Sequence, residues 1–156
     1  MSVLKWFERK FDFSFDLDEY TAIYQRLQQA PAKLVELLQN EADDTLSHQP
    51  AGNWSVKEHT GHLSVLEPLW RVRMHDILAK KPSLTPTDLN NSVTTGAGFN
   101  RYSIPELLQK FTAERNETIR LLDSIDIKTY PHTSLHPRMQ KPMRLIDIAY
   151  FTAEHD

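Results

Sequence analysis

The sequence predicts an all-α protein, a four-helix bundle, and three observations predict it. Apolar residues recur at helical spacing in four stretches. Two of those stretches open with a capping box, Ser55-Val-Lys-Glu58 and Ser103-Ile-Pro-Glu106. Only 4 of the 156 residues are glycine, too few for the turn-rich pattern of an all-β chain. The length fits a single domain over 1–156.

The first helix is predicted from about Asp18 to Glu41. Tyr20, Ile23, Tyr24, Leu27, Leu34, Leu37 and Leu38 share one face, and Pro31 predicts a kink because it has no amide hydrogen. The second helix starts at the Ser55 box and ends near Lys80, before Pro82. His59, His62, Leu63, Leu66, Leu69, Trp70, Arg73 and Ile77 form its inward face, and Pro68 predicts a local bend close to His62.

Residues 81–102 carry Pro82, Pro86, Asn90, Asn91, Gly96 and Gly98 and read as a long crossover. Such a link lets the helices on either side run parallel, and it can cover a site. The third helix opens at the Ser103 box and presents Leu107, Leu108, Phe111, Thr118, Ile119 and Leu122. Ile127 to Gln140 is a second irregular connection. The fourth helix begins near Met143 and puts Leu145, Ile148, Ala149, Thr152 and His155 on one face. No glycine stop follows, and Glu154 and Asp156 sit where the helix dipole disfavours them. The expectation is a chain cut inside this helix.

The N-terminal segment stands apart. Leu4, Trp6 and Phe7 precede Phe11, Phe13 and Phe15, which alternate with polar residues. Aromatics of this kind seek burial, either on the bundle or on a dimer mate. A membrane-surface anchor is the alternative.

Composition narrows the function classes. There is no cysteine, so disulfides, thiolate ligands and a cysteine nucleophile are excluded within these residues. The formal net charge is −3 with no basic stripe, which gives a nucleic-acid partner no electrostatic support. No apolar run is long enough to span a membrane, and the start lacks the apolar centre of a signal peptide. A cytoplasmic location is expected.

Histidine is the informative residue type. Of seven, His59, His62 and His155 fall on predicted inward faces, while His48, His132 and the His136-Pro137 pair read as loop or turn residues. Imidazoles from facing helices can share a metal in a bundle. The competing reading is a hydrogen-bonded core histidine, and His59 fits the capping region better than a ligand shell. The His59-Thr-Gly-His62 spacing is not the zinc-protease pattern, and no phosphate loop, dinucleotide fingerprint or nucleophile elbow occurs. The His155-Asp156 doublet is a weak pointer to a helical metal phosphohydrolase.

Several segments in order resemble the DinB-like (damage-inducible, YfiT-like) family of metalloenzymes. They are Arg26-Leu27 with Pro31, then Asn53-Trp-Ser-Val-Lys-Glu-His-Thr-Gly-His62-Leu63 with Glu67 and Leu69-Trp70. His136-Pro137 and the run Lys141 to Asp156 complete the set. The resemblance implies an up-down-down-up bundle, often a homodimer. It implies a divalent metal, zinc or nickel, held by three histidines. One matches His62 and a second matches His155; the third would fall one turn past Asp156. It further implies a thiol-dependent S-transferase using a low-molecular-weight thiol on small electrophiles, or a hydrolase. Glu67 would orient a ligand or act as a base. The alternative is a non-catalytic helical dimer that binds a small ligand or partner in a stress response.

Overall fold

The computed structural model describes residues 5–156. Leu4, predicted to pack with the N-terminal arm, lies outside the described residues. Four long helices make the bundle: α1 (Tyr20–Leu38), α3 (Val56–Leu78), α5 (Ile104–Asp123) and α6 (Leu145–His155). Two single-turn helices, α2 (Asp43–Ser47) and α4 (Ser92–Gly96), sit in the connections. A small hairpin pairs β1 (Ser134–Leu135) antiparallel with β2 (Pro142–Met143).

Both capping boxes form. The Ser55 hydroxyl accepts from the Glu58 amide at 3.1 Å, and the Ser55 amide donates to the Glu58 carboxylate at 2.8 Å. Ser103 and Glu106 repeat the arrangement. Each box satisfies amides that the first helical turn leaves without partners. At α1 the expected limits shorten: Leu17–Glu19 is a 3-10 turn, and the helix ends at Leu38. It runs unbroken through Pro31, which is itself buried. Leu37, expected on the inner face, is 69% exposed. α6 starts at Leu145, two residues later than expected.

Cross-helix contacts set the relative directions. Tyr24 meets Asp123 and the Leu27 carbonyl meets Arg115, so α1 and α5 are antiparallel. Val65 packs among Ile104, Leu107 and Leu108 while Arg71 reaches Glu114 and Thr118, so α3 and α5 are parallel. His62 faces His155 and Trp70 faces Phe151, so α3 and α6 are antiparallel. The parallel α3–α5 pair requires the long crossover, which is not structureless. It contains α4 and a 3-10 turn at Phe99–Arg101. Its Leu84 amide also bonds the Leu135 carbonyl at 2.9 Å, tying it to the hairpin.

The main core holds Ile23, Leu27, Trp70, Met74, Ile77, Leu122 and most of α6, and a second cluster around Phe99 and Leu107 closes the other end. The N-terminal arm packs on α6. Phe11, 4% exposed, lies 4.9 Å from Phe151 between ring centres, and Phe15 lies 5.0 Å from Tyr150. Arg144 and Lys141 hold the arm by donating to the carbonyls of Phe13, Phe15 and Phe11.

At the bundle centre lies a buried cation, Arg115. The Arg115 guanidinium, 1% exposed, donates to Glu67, Asp156 and the Leu27 carbonyl, which links all four long helices. Burial alone would lower its pKa. The hydrogen bonds it donates to Asp156 and the charges of Glu67 and Asp156 outweigh that and hold it above its ordinary value.

Candidate functional site

The site is built where α3 and α6 cross. The Ser55 cap fixes the start of α3, and His62 follows two turns later on the buried side. α6 runs back along α3 and ends with His155 opposite it. The two imidazole centres stand 5.3 Å apart. Two rings that bind one tetrahedral zinc through nitrogens at about 2.0–2.1 Å have centres roughly 5 Å apart. The spacing therefore suits a shared cation.

Their surroundings keep both rings neutral. Burial is the main cause, and the neighbouring His155 and His59 add to it, lowering His62 to about 4. His155 is likewise lowered to about 4 by burial, then by the charge of Arg115 and by His59 and Arg9. A neutral imidazole is the ligating form. His62 Nδ1 lies 2.8 Å from the Thr94 hydroxyl, supplied by α4 of the crossover. When Nδ1–H donates to that oxygen, the Nε2 lone pair is free for a cation, the usual outer-shell arrangement of a metal-bound histidine.

The two rings stand at the wall of a cavity of about 630 Å³. That volume is in the range of small-molecule sites. Trp6, Trp54, Trp70 and Phe151 supply apolar walls, and Thr87, Asp88, Leu89 and Asn91 of the crossover close one side. The expected covering role of residues 81–102 thus has a physical form. Trp6 meets His155 edge-on at 4.8 Å, and Trp54 meets His62 at 4.8 Å.

The donor set is incomplete by itself. Among the described residues, no group of three His, Cys, Asp or Glu side chains is placed to hold a metal ion. His62 and His155 fit such an ion by chemistry and spacing, as two of its ligands. Glu67 does not join them. Its two oxygens are occupied by Arg115 and by the Thr118 hydroxyl, so the role of ligand orienter or base is corrected to that of a buried counter-charge. His59 is exposed at the cavity mouth, edge-on to Trp54, and is not on the buried face.

The turn expected at His136-Pro137 forms, but the His136 side chain faces inward. It is 3% exposed, lines the cavity and faces Phe151 at 5.5 Å. The Arg138 and Met139 amides both donate to its Nδ1 at 3.2 Å. Burial, then the charges of Arg73 and Arg138, lower it to about 4. Its sequence signal was hidden by Pro137, which marks a turn but says nothing of which way the histidine faces. Arg115 was more legible, because it continues the 108, 111, 115, 118, 122 spacing of the buried face of α5.

Comparison with known proteins places these residues in a family. A search of curated proteins returned no match. Among solved structures, the chain is similar to YfiT from Bacillus subtilis, described as a probable metal-dependent hydrolase with an unusual four-helix bundle topology. The TM-score is 0.75 at 18% identity, over 94% of this chain and 85% of that one, a likeness of fold. The model of the DinB superfamily matches residues 26–156, which include both facing histidines, and the chain belongs to that superfamily.

Proposed function

We propose that this protein is a divalent-metal-dependent enzyme for a small molecule, with His62 and His155 as metal ligands and zinc or nickel as the cation. The observation that carries the reading is the pair of neutral imidazoles, 5.3 Å apart between centres, at the wall of a 630 Å³ cavity. The description of YfiT as metal-dependent supports it by fold likeness. When bound, a divalent cation there would lower the pKa of an adjacent thiol or water and so supply a nucleophile at neutral pH.

The surrounding residues favour thiol transfer over hydrolysis. A hydrolase of this kind gains from a carboxylate base beside the nucleophile. The carboxylates on the cavity wall are engaged elsewhere. Asp88 accepts from the Asn90 and Ser92 amides, and Asp156 accepts from Arg115. A thiol activated by the cation needs no such base. The aromatic walls give it an apolar setting, and the cavity leaves room for an electrophile. Further ligands to the cation would come from the thiol, water or another side chain.

The test is metal removal. Chelator-treated protein is assayed for conjugation of bacillithiol or glutathione to monochlorobimane, and for hydrolysis of p-nitrophenyl acetate. Conjugation is expected to vanish on chelation, to return with zinc or nickel, and to fall roughly 10- to 100-fold or more in His62→Ala. Metal-restored ester hydrolysis without conjugation would select the hydrolase reading. Turnover that survives both chelation and His62→Ala would overturn the metal reading itself.

A further inference from the structure

Besides the histidine pair, the cavity wall carries a second group of polar side chains: Arg73 of α3, and His136 and Arg138 of the hairpin loop. Arg73 is 1% exposed. Its Nε donates to the Thr85 carbonyl at 2.9 Å, yet its Nη2 has no hydrogen-bond partner among the described residues. A buried guanidinium nitrogen without an acceptor is costly to keep. The nearby carboxylate does not relieve it. Asp76 gives one oxygen to Lys81 and the other to the Thr85 amide and hydroxyl, each at 2.7 Å.

The neighbours of Arg73 add donors, not acceptors. Because backbone amides occupy Nδ1 of His136, its neutral ring carries the proton on Nε2, a donor. Arg138 is exposed at the rim, its guanidinium over the Phe7 ring at 5.0 Å, and it forms no ion pair among the described residues. Arg73 and Arg138 are close enough that each is felt electrostatically at His136. Two guanidiniums and a ring N–H thus share a largely apolar cavity, with one buried donor unsatisfied.

We propose that Arg73, His136 and Arg138 form an anion subsite that takes an oxyanion, such as a carboxylate or phosphonate, of the small molecule bound in the cavity. An apolar body packed against Trp70 and Phe151, with an acidic end toward Arg73, is the substrate class this arrangement selects. As a statement about substrate, it rests on the metal-dependent reading; as a binding site, it stands without metal.

Calorimetric titration of the chelator-treated full chain separates the two. The probes are phenylacetate, phenylphosphonate and the neutral phenylacetamide. Saturable binding of the two anions is expected, with phenylacetamide weaker by about tenfold or more. Arg138→Gln and Arg73→Gln should each weaken phenylacetate by about tenfold or more, whereas Arg71→Gln, paired with Glu114 off the cavity, should not. Circular dichroism checks folding. Should Arg73→Gln unfold, the probe comparison and Arg138→Gln still decide. Equal affinity for phenylacetate and phenylacetamide, or no saturable anion binding, overturns the proposal. His62→Ala should lose metal yet keep phenylacetate, so failure of either reading shows separately.

Discussion

Three histidines at the cavity are held neutral by burial, and that leaves a mark on stability as well as on ligation. His136 has a folded pKa of about 4 against an ordinary value of 6.5. The unfolded chain therefore binds the extra proton first as pH falls. Stability from this residue is complete above about pH 6.5 and is lost as pH drops toward 4. Its replacement in His136→Gln should flatten the stability–pH curve in that window by up to about 1.4 kcal/mol per pH unit. Urea denaturation at stepped pH reads this, and identical slopes for both proteins would contradict it. At this scale the sequence was half legible. His62 and His155 could be placed on inner faces from spacing alone. His136 could not, because its burial depends on a hairpin of two-residue strands, too short to show alternation, that is tied to the distant crossover at Leu84.

Helix starts were the most legible elements, since a capping box is a local bond between residues three apart and needs no tertiary partner. Glycine shows the opposite case. Gly61 lies in α3 beside His62, where in an exposed helix Ala would be preferred by about 1 kcal/mol. Here a Cβ would overlap the Phe99 ring from the 3-10 turn that precedes α5. Gly61→Ala should therefore destabilise the protein by about 1–3 kcal/mol, by forcing the ring or the helix to move. Trimming the ring in Gly61→Ala/Phe99→Leu should recover part of that loss. A chemical-denaturation midpoint unchanged or raised in Gly61→Ala would show that α3 and the crossover do not pack this closely. The crossover itself was visible as a length of proline, asparagine and glycine. Its α4 turn, which brings Thr94 to His62, was not, because five residues are too few to show periodicity.

The bundle as a whole assembles its centre from distant parts of the chain. Arg115 joins the α1 backbone, Glu67 of α3 and Asp156 at the end of α6, and the cavity adds the N-terminal arm, the crossover and the hairpin. A buried ion pair of this kind is weak evidence for stability, but removing one partner leaves the other charge stranded. It also ties the residue next to His155 to the bundle centre, since Asp156 follows His155 directly. Spacing could predict four amphipathic rods; which side chains meet across them required the fold. The central claim is that His62 and His155 meet on one divalent cation. Cobalt(II) titration of the chelator-treated protein, followed by visible absorption, tests it most directly. One equivalent should bind, with absorption bands of a nitrogen-ligated ion and affinity reduced about tenfold or more in both His62→Ala and His155→Ala, but not in the exposed-site variant His75→Ala. Cobalt bound equally well by all four proteins, or by none, would contradict it.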